Sequence, residues 1–263
     1  MCILPLLALA MASVSEAQVL SNASNPPQSQ VRIGATPIGG AAGGLYNGVQ
    51  LDCGSNPRSV TAGDFNADGF VDIATSNVDA HSVSVMFGDG TGQFSPHVEH
   101  PVGNYPYSVA NGDVDGDGDF DLVSANLGAS GVSVLLNNGA GGFAQAIPLS
   151  TGSTPFSVAL GDANGDGRLD IVTANKSAAR VSVILSLGGG NFAPQIEYPS
   201  GDFPRAATFA DVDNDSDLDI IVAKEKLGER LCVLLNTGLG SFGSPTFFMG
   251  GTIPNSITAA DFD

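Results

Sequence analysis

Carboxylate and amide side chains alternate along four stretches of the chain, each nine residues long. The clearest is DVDGDGDFD at residues 113–121, and the same pattern recurs at 64–72, 162–170 and 211–219. Positions one, three, five and nine carry Asp or Asn, position six carries Gly or, in the last stretch, Ser216, and position seven varies. Oxygen ligands at alternate positions around a tight turn are typical of a loop that wraps a hard cation.

Calcium is the cation that this set of ligands favours. It accepts many charged and neutral oxygens in a loose geometry, whereas magnesium prefers a near-octahedral site and keeps several of its waters. None of the four loops contains Cys or His, which disfavours zinc and copper. We therefore predict about four Ca²⁺ ions, one per loop, with the backbone carbonyl of position seven completing each site. The predicted ligands are Asp64, Asn66, Asp68, Phe70 and Asp72; Asp113, Asp115, Asp117, Asp119 and Asp121; Asp162, Asn164, Asp166, Arg168 and Asp170; and Asp211, Asp213, Asp215, Asp217 and Asp219.

The EF-hand loop is the nearest alternative, because it begins with the same spacing of acids. It requires a bidentate Glu at position twelve and a helix on each side. Position twelve is instead Thr75, Ser124, Thr173 or Val222, and the residues after position nine resemble strands, as in DLVSAN. We therefore predict that each metal loop closes a turn between two strands. Acid-rich turns can also be solvated without a metal, but four copies in one register argue against that interpretation.

The loops belong to a longer repeat. Successive loops start at Asp64, Asp113, Asp162, Asp211 and Asp261, which are 49 or 50 residues apart. A proline lies seven residues before each start. Each complete unit also has a Gly-rich turn, which we call the Gly turn; the four turns end at Phe94, Phe143, Phe192 and Phe242. The second unit contains four apolar runs of strand length, YSVANG, DLVSAN, VSVLLN and FAQAIPL. Four strands in a repeat of this length predict an all-β fold, a β-propeller of four-stranded antiparallel blades.

With these motifs the units resemble FG-GAP or VCBS-type repeats of the integrin-α-like propeller family, whose loops read DxDxDGxxD. Phe87 and Gly88 match the phenylalanine–glycine element of that family, and the later units keep the Gly turn and the aromatic residue. The resemblance covers about residues 39–263. It implies a calcium-binding propeller that is typically seven-bladed, extracellular and used for adhesion or recognition. Four complete units and two partial ones are present, so we expect a fragment of a seven-bladed ring whose other blades or further domains belong to the same gene product.

The start of the chain predicts export. Residues 3–12 form an apolar run that is too short to span a membrane and is followed by small residues, as in a secretory signal peptide. We assign residues 1–17 to this signal and 18–38 to a polar linker. The repeats then cover 39–263, with units near 57–105, 106–154, 155–203 and 204–253 and a truncated unit at 254–263. The protein is therefore expected to be secreted or held at the cell surface.

The net charge limits the class of partner. The 263-residue chain has a formal charge of −18 and only nine Lys and Arg residues, which argues against nucleic acids and anionic membranes as partners. Eighteen of its 27 acids lie in the four loops or the truncated fifth one. Bound cations would therefore neutralise much of this charge.

The variable segments predict where recognition occurs. In a four-stranded meander the metal loops and Gly turns share one end of each blade, and the segments that differ between units lie at the other end. Variation within a fixed frame favours this second end as the binding surface for an extracellular protein or carbohydrate. Ordinary surface loops that drift freely are an equally open interpretation. The residue after each proline varies at the same end: Arg58, Tyr107, Phe156, Arg205 and Asn255.

Enzyme motifs are lacking, and we predict a non-catalytic protein. No GxSxG, phosphate-binding GxxxxGK or HExxH sequence occurs. His97, Glu99 and His100 are expected to form a solvated strand edge. The alternative is a polysaccharide lyase or a lectin built on the same propeller. A lyase would need a basic or tyrosyl group near a bound uronate, and the basic candidates on the variable segments are Lys176, Arg180, Lys224 and Arg230.

Overall fold

The strands follow the 49-residue repeat throughout the part of the chain that the computed structural model describes, residues 30–32, 50–225, 228–250 and 254–260. Twenty strands and no helix occur there. A two-stranded sheet of β1 (Gln30–Arg32) and β2 (Gln50–Asp52) precedes the blades. The first blade contains β3 (Pro57–Gly63), β4 (Asp72–Asn77), β5 (Ser82–Met86) and β6 (Val98–Pro101), and the second contains β7 (Pro106–Gly112), β8 (Asp121–Asn126), β9 (Gly131–Leu135) and β10 (Ile147–Ser150).

The third and fourth blades repeat this plan. The third contains β11 (Pro155–Gly161), β12 (Asp170–Asn175), β13 (Arg180–Ile184), the short ribbon of β14 (Ser186–Gly188) and β15 (Asn191–Phe192), and β16 (Ile196–Pro199). The fourth contains β17 (Pro204–Ala210), β18 (Asp219–Lys224), β19 (Glu229–Leu234) and β20 (Thr246–Met249). In each blade the four main strands pair antiparallel in chain order. The predicted all-β fold of four-stranded propeller blades is confirmed.

The hydrophobic core lies between neighbouring blades. The second and third strands of the first two blades are buried along their whole length, whereas the fourth strands are largely exposed. One cluster joins Phe65, Val83 and Val85 of the first blade to Leu122 and Leu135 of the second. Corresponding clusters join the second blade to the third and the third to the fourth. Each sheet is therefore covered by the next, and the first strands β3, β7, β11 and β17 contact one another in sequence.

Position two of the first three metal loops is anchored in this core. Phe65 and Val114 are fully buried, and Ala163 is nearly so. Each packs in the cluster that its blade shares with the following blade. An apolar residue within an acidic loop therefore fixes the loop at a blade junction.

Three details extend or refine the repeat pattern. β2 lies in the partial unit that precedes the first complete one, and β1, within the predicted linker, pairs with it. The fourth strand of the second blade starts at Ile147, because Phe143 instead bridges to Asn137 in the Gly turn. The predicted signal peptide and the acids of the fifth loop lie outside the described residues. The described part of the chain contains no helix that could cross a membrane.

Candidate metal centres

Each metal loop connects the first strand of a blade to the second and is held by its own position-one carboxylate. Oδ2 of this residue accepts the backbone N–H of position six at 2.7–3.0 Å in all four loops. Oδ1 of position five accepts the N–H of position seven in the same way. The backbone at position six is left-handed, with φ of 86°, 96° and 84° at the three glycines and 77° at Ser216. This conformation explains why Gly recurs at position six.

Ser216→Gly should therefore stabilise the fourth blade. A side chain in the left-handed region costs about 1–2 kcal/mol, and the greater entropy loss of Gly on folding offsets about 0.5–1 kcal/mol of that gain. We expect the free energy of unfolding to rise by about 0.5–1 kcal/mol, measured by denaturant titration. Ser216→Ala keeps the Cβ and should give no gain. An equal gain in both variants would contradict the strain explanation.

The second and fourth loops bring three carboxylates together. Oxygens of Asp113, Asp115 and Asp117 lie within 4.8 Å of one another, and so do those of the equivalent trio in the fourth loop, Asp211, Asp213 and Asp215. Burial, followed by the neighbouring carboxylates, raises the pKa of Asp115. The pKa of Asp213 is raised in the same way. All-oxygen donors at this separation fit a calcium ion, which would relieve the repulsion between them.

The first and third loops carry Asn at position three and hold fewer charges. The amide Nδ2 of Asn66 donates to Asp68 Oδ2 at 2.8 Å, and Asn164 does the same to Asp166 at 3.0 Å. The amide oxygens accept the N–H of the same two aspartates. These loops keep the ligand spacing, but part of their charge is already engaged within the loop.

Position seven faces the Gly turn of its own blade in the first three loops. The Phe70 ring lies against Gly90, the Asp119 carboxylate against Gly139 and the Arg168 side chain against Gly188. These side chains therefore pack at the same end of the blade as the predicted metal sites. The sequence predicts that position seven contributes a backbone carbonyl, and the side-chain contacts are an additional role.

The ninth aspartate of each loop ties the loop to the Gly turn. These four residues, Asp72, Asp121, Asp170 and Asp219, have no solvent exposure. One oxygen accepts the N–H of position two at 2.8–3.0 Å, and the other accepts the N–H that opens the Gly turn at 2.8 Å. An ionised carboxylate has further lone pairs, so these bonds are compatible with metal binding. The sequence identifies these residues only as ligands.

The Gly turn also fastens each blade to the preceding loop. Asn137 Nδ2 of the second blade donates to the carbonyl of Phe65, position two of the first loop, at 2.8 Å. Ser186 Oγ and Asn236 Nδ2 make the same contact to Val114 and Ala163, respectively. We call these three side chains the latch residues. The sequence signal for them is a polar residue 16 or 17 positions after the ninth aspartate.

The buried aspartates should make the metal-free protein more stable in mild acid. Burial raises the pKa of Asp121 and of Asp170 to about 6 from an ordinary value of 3.8, although backbone N–H donors oppose the shift. The folded state therefore holds these protons more tightly than the unfolded chain, and the free energy of unfolding should rise as the pH falls from about 7 to about 5. Thermal melts in excess chelator would show this rise.

Calcium should reverse the sign of this pH dependence, because protons compete with a bound cation for the loop carboxylates. The same melts in saturating calcium are the control. A melting temperature that falls with acidification in chelator as steeply as in calcium would contradict the assignment of the buried carboxylates.

The other end of the blades carries a rigid frame with variable side chains. The residue before each proline is left-handed, with φ of 55–63° at Asn56, Tyr105, Thr154 and Phe203. Its carbonyl accepts an N–H from the turn between the second and third strands at 2.9–3.0 Å. The Tyr105 and Phe203 side chains are 47% and 50% exposed. This end contains the connections between successive blades and the turns between the second and third strands of each blade. We call it the variable end.

The residues after the prolines form a ladder across the first strands at the variable end. Arg58 hydrogen-bonds the Tyr107 hydroxyl and lies 4.5 Å from its ring centroid. The Tyr107 and Phe156 rings are 4.1 Å apart, and the Arg205 guanidinium lies 5.0 Å from Phe156. Arg205 also bonds Asn255. The five residues that the sequence places at one repeat position are thus in contact from blade to blade.

Two of the four basic candidates for a lyase, Lys176 and Lys224, are engaged in other contacts. Lys176 bonds Glu225 at 2.8 Å, and the hydrogen bonds from Lys176 and then Arg205 lower the pKa of Glu225. Lys224 is buried and lies 4.0 Å from the Phe247 ring. Arg230 is also buried, whereas Arg180 is exposed.

The predicted histidine edge lies at the start of the outermost strand of the first blade: His97 precedes β6, and Glu99 and His100 lie within it. His97 lies 3.9 Å from Glu99. His100 packs edge-on against Phe143, and burial lowers its pKa. The structure thus places His100 apart from the other two, as the alternation of side chains along a strand predicts.

Sequence comparison decides the family. A model of the FG-GAP-like repeat matches the chain three times, at residues 64–124, 113–173 and 162–222, and these matches together cover more than half of it. The chain belongs to the FG-GAP-like repeat family. Each FG-GAP-like repeat runs from one metal loop to the second strand of the next blade, so consecutive matches share a loop. No curated protein sequence matches the chain.

Solved structures share the fold of these FG-GAP-like repeats at low sequence identity. The V. cholerae biofilm matrix protein Bap1 is 17% identical with a TM-score of 0.52, and the match covers 86% of this chain and 34% of that chain. BBS1N, crystallised in complex with ARL6DN, is 16% identical with a TM-score of 0.54, over 76% of this chain and 59% of that chain. The FG-GAP-like chain therefore spans less than two thirds of either protein, and these likenesses establish the fold alone.

Proposed function

We propose that this chain is a secreted, calcium-binding β-propeller scaffold that recognises an extracellular protein or carbohydrate and has no catalytic role. The observation that carries the proposal is that the two ends of the blades differ in how strictly their side chains repeat. One end repeats the same acidic loops and turns, whereas the other holds a fixed backbone on which the side chains differ. A repeated frame with changing side chains is the arrangement expected of a recognition surface.

Calcium would act on structure at the loop end. When bound, the ion supplies positive charge that draws the carboxylates of one loop together. Asp113, Asp115 and Asp117 would hold it in the second loop, and the equivalent trio would hold it in the fourth. The buried ninth aspartate then connects the loop to the Gly turn, and the latch residue connects that turn to the preceding blade. Metal binding is thereby linked to the packing of two blades.

The variable end supports recognition through exposed aromatic and basic groups. Tyr105 and Phe203 project from backbone positions that hydrogen bonds hold in place. Aromatic residues on a rigid backbone provide contact area at a low cost in conformational entropy. The exposed Arg58, at one end of the ladder, adds a charged donor at the same end of the blades. These features suit a broad, shallow contact with a macromolecule.

Binding screens on matched variants would test the proposal. The purified chain would be screened in calcium against a polysaccharide panel and against extracellular protein fractions. A Tyr105→Ser, Phe203→Ser double variant should lose the binding that the wild type shows. A Val71→Ser, Leu187→Ser double variant should retain it, because those side chains are 60% exposed at the loop end. Equal loss in both variants would contradict recognition by the variable end.

The same polysaccharide panel would test the lyase alternative. Formation of unsaturated products, followed by their ultraviolet absorbance, would overturn the non-catalytic assignment. We expect no such product with any polysaccharide that the chain binds.

A further inference from the structure

The third metal loop contains a cation of its own. Position seven is Phe70, Asp119 and Asp217 in the other loops, but it is Arg168 here. The Arg168 Nη2 donates to Asp166 Oδ2, a predicted calcium ligand, at 2.6 Å. Its backbone N–H donates to the other oxygen of the same carboxylate at 3.0 Å. Both oxygens of Asp166 thus accept hydrogen bonds from Arg168, and on Oδ2 the charged Nη2 joins the Asn164 amide.

The remaining charge of this loop is low. The second and fourth loops each contain five aspartates, whereas the third contains only Asp162, Asp166 and Asp170. Asp170 is buried and accepts two backbone N–H groups. Asp162 accepts the N–H groups of Asp166 and Gly167. Since Arg168 pairs with Asp166, the repulsion that calcium would relieve in the second loop is already reduced in the third.

The Arg168 stem also has a fixed place. It packs against Gly188 in the β14–β15 ribbon, which replaces the isolated bridge of the other described Gly turns. The neighbouring Gly189 donates its N–H to the Asp115 carbonyl of the second loop at 2.8 Å. Arg168 therefore lies between its own loop and the turn that contacts the preceding loop. This packing reduces the number of side-chain conformations that the ion pair must restrict.

We propose that Arg168 is the built-in counter-cation of the third loop, so that this loop keeps its fold without calcium and binds calcium more weakly than the second and fourth loops. The inference rests on the proposed calcium function, because it ranks the calcium affinities of loops to which that function assigns calcium. A guanidinium remains charged at any physiological pH. Because it is part of the chain, its positive charge does not depend on the calcium concentration. Calcium must compete with this positive charge for the Asp166 carboxylate. The third loop consequently ranks below the second and fourth in calcium affinity.

Arg168→Gln tests this ranking by removing the charge while keeping a polar side chain with the same first three carbons. Isothermal titration with calcium should show a third-loop affinity about tenfold tighter than in the wild type, which corresponds to about 1.4 kcal/mol. Adding Asp162→Asn to the variant should abolish the gained binding. The same Asp162→Asn change in the wild type should leave the tight binding of the second and fourth loops unaltered. Arg168→Lys, which keeps a positive charge, should remain close to the wild type.

Thermal melts separate this role from a purely structural one. In excess chelator, Arg168→Gln should melt below the wild type, and saturating calcium should remove the difference. A variant that is destabilised equally with and without calcium, or whose calcium affinity equals that of a calcium-binding wild type, would overturn the inference and leave the proposed function standing. A wild type that binds no calcium at all would instead overturn the proposed function.

Discussion

Asp121→Ala is expected to lower the melting temperature by about 10 °C, even in excess chelator. Asp121 is fully buried, and its two oxygens accept the N–H groups of Val114 and Asn137 at 2.9 and 2.8 Å. Alanine would leave both donors buried without a partner, at a cost of about 1–3 kcal/mol each. It would also release Asn137, whose side chain fastens the second blade to the first. The loss therefore extends over two blades and should be visible by calorimetry.

The matched control is Asp119→Ala, which makes the same change two residues earlier in the same loop. The Asp119 side chain is partly exposed and lies against Gly139 without holding a buried N–H. It should shift the melting temperature in chelator by only a small part of the Asp121→Ala shift. Similar shifts in the two variants would show that the ninth aspartate is no more important to the fold than its neighbour.

Calcium removal should destabilise the wild type by a comparable amount. A ligand present at tenfold excess over its dissociation constant stabilises the folded state by about 1.4 kcal/mol per site. The second and fourth loops, with their clustered carboxylates, would together contribute about 3 kcal/mol, or about 6–12 °C in a domain of this size. Extracellular calcium sites typically have dissociation constants of about 10⁻⁴–10⁻³ M, so millimolar calcium is the relevant range.

The experiment compares melts in chelator, in calcium and in magnesium at the same concentration. Magnesium should give the smaller shift, because it requires a tighter geometry and keeps its waters. Metal content must be measured in each sample. A melting temperature unchanged by verified removal of the metal would show that strand packing alone holds the blades.

The repeat pattern predicted most of the fold because its signals are local. Apolar runs and turn residues recur within each 49-residue unit, and the same spacing places the four acidic loops between first and second strands. The left-handed position six was also visible as a recurring Gly. The composition of the loops is also local information: the second and fourth contain five aspartates each, and the first and third contain three each.

Contacts between units could not be predicted in this way. Asn137 and Phe65 are 72 residues apart, and nothing in the local pattern of either indicates the other. The double role of Asp121 depends on a Gly turn 16 residues later that folds back to the loop. The left-handed backbone at Tyr105 and Phe203 was unexpected as well, because these residue types rarely adopt it and a tertiary hydrogen bond holds them there.

The latch residues all point in one direction along the chain, from a later blade to the loop before it. The first loop is secured by Asn137, the second by Ser186 and the third by Asn236. During synthesis at about 5–20 residues per second, Asn137 emerges several seconds after Phe65. Each blade can pair its strands as it appears, but its loop is fastened only when the following blade arrives. Each of the first three blades would therefore pass, during synthesis, through an interval in which its acidic loop is formed but not yet fastened.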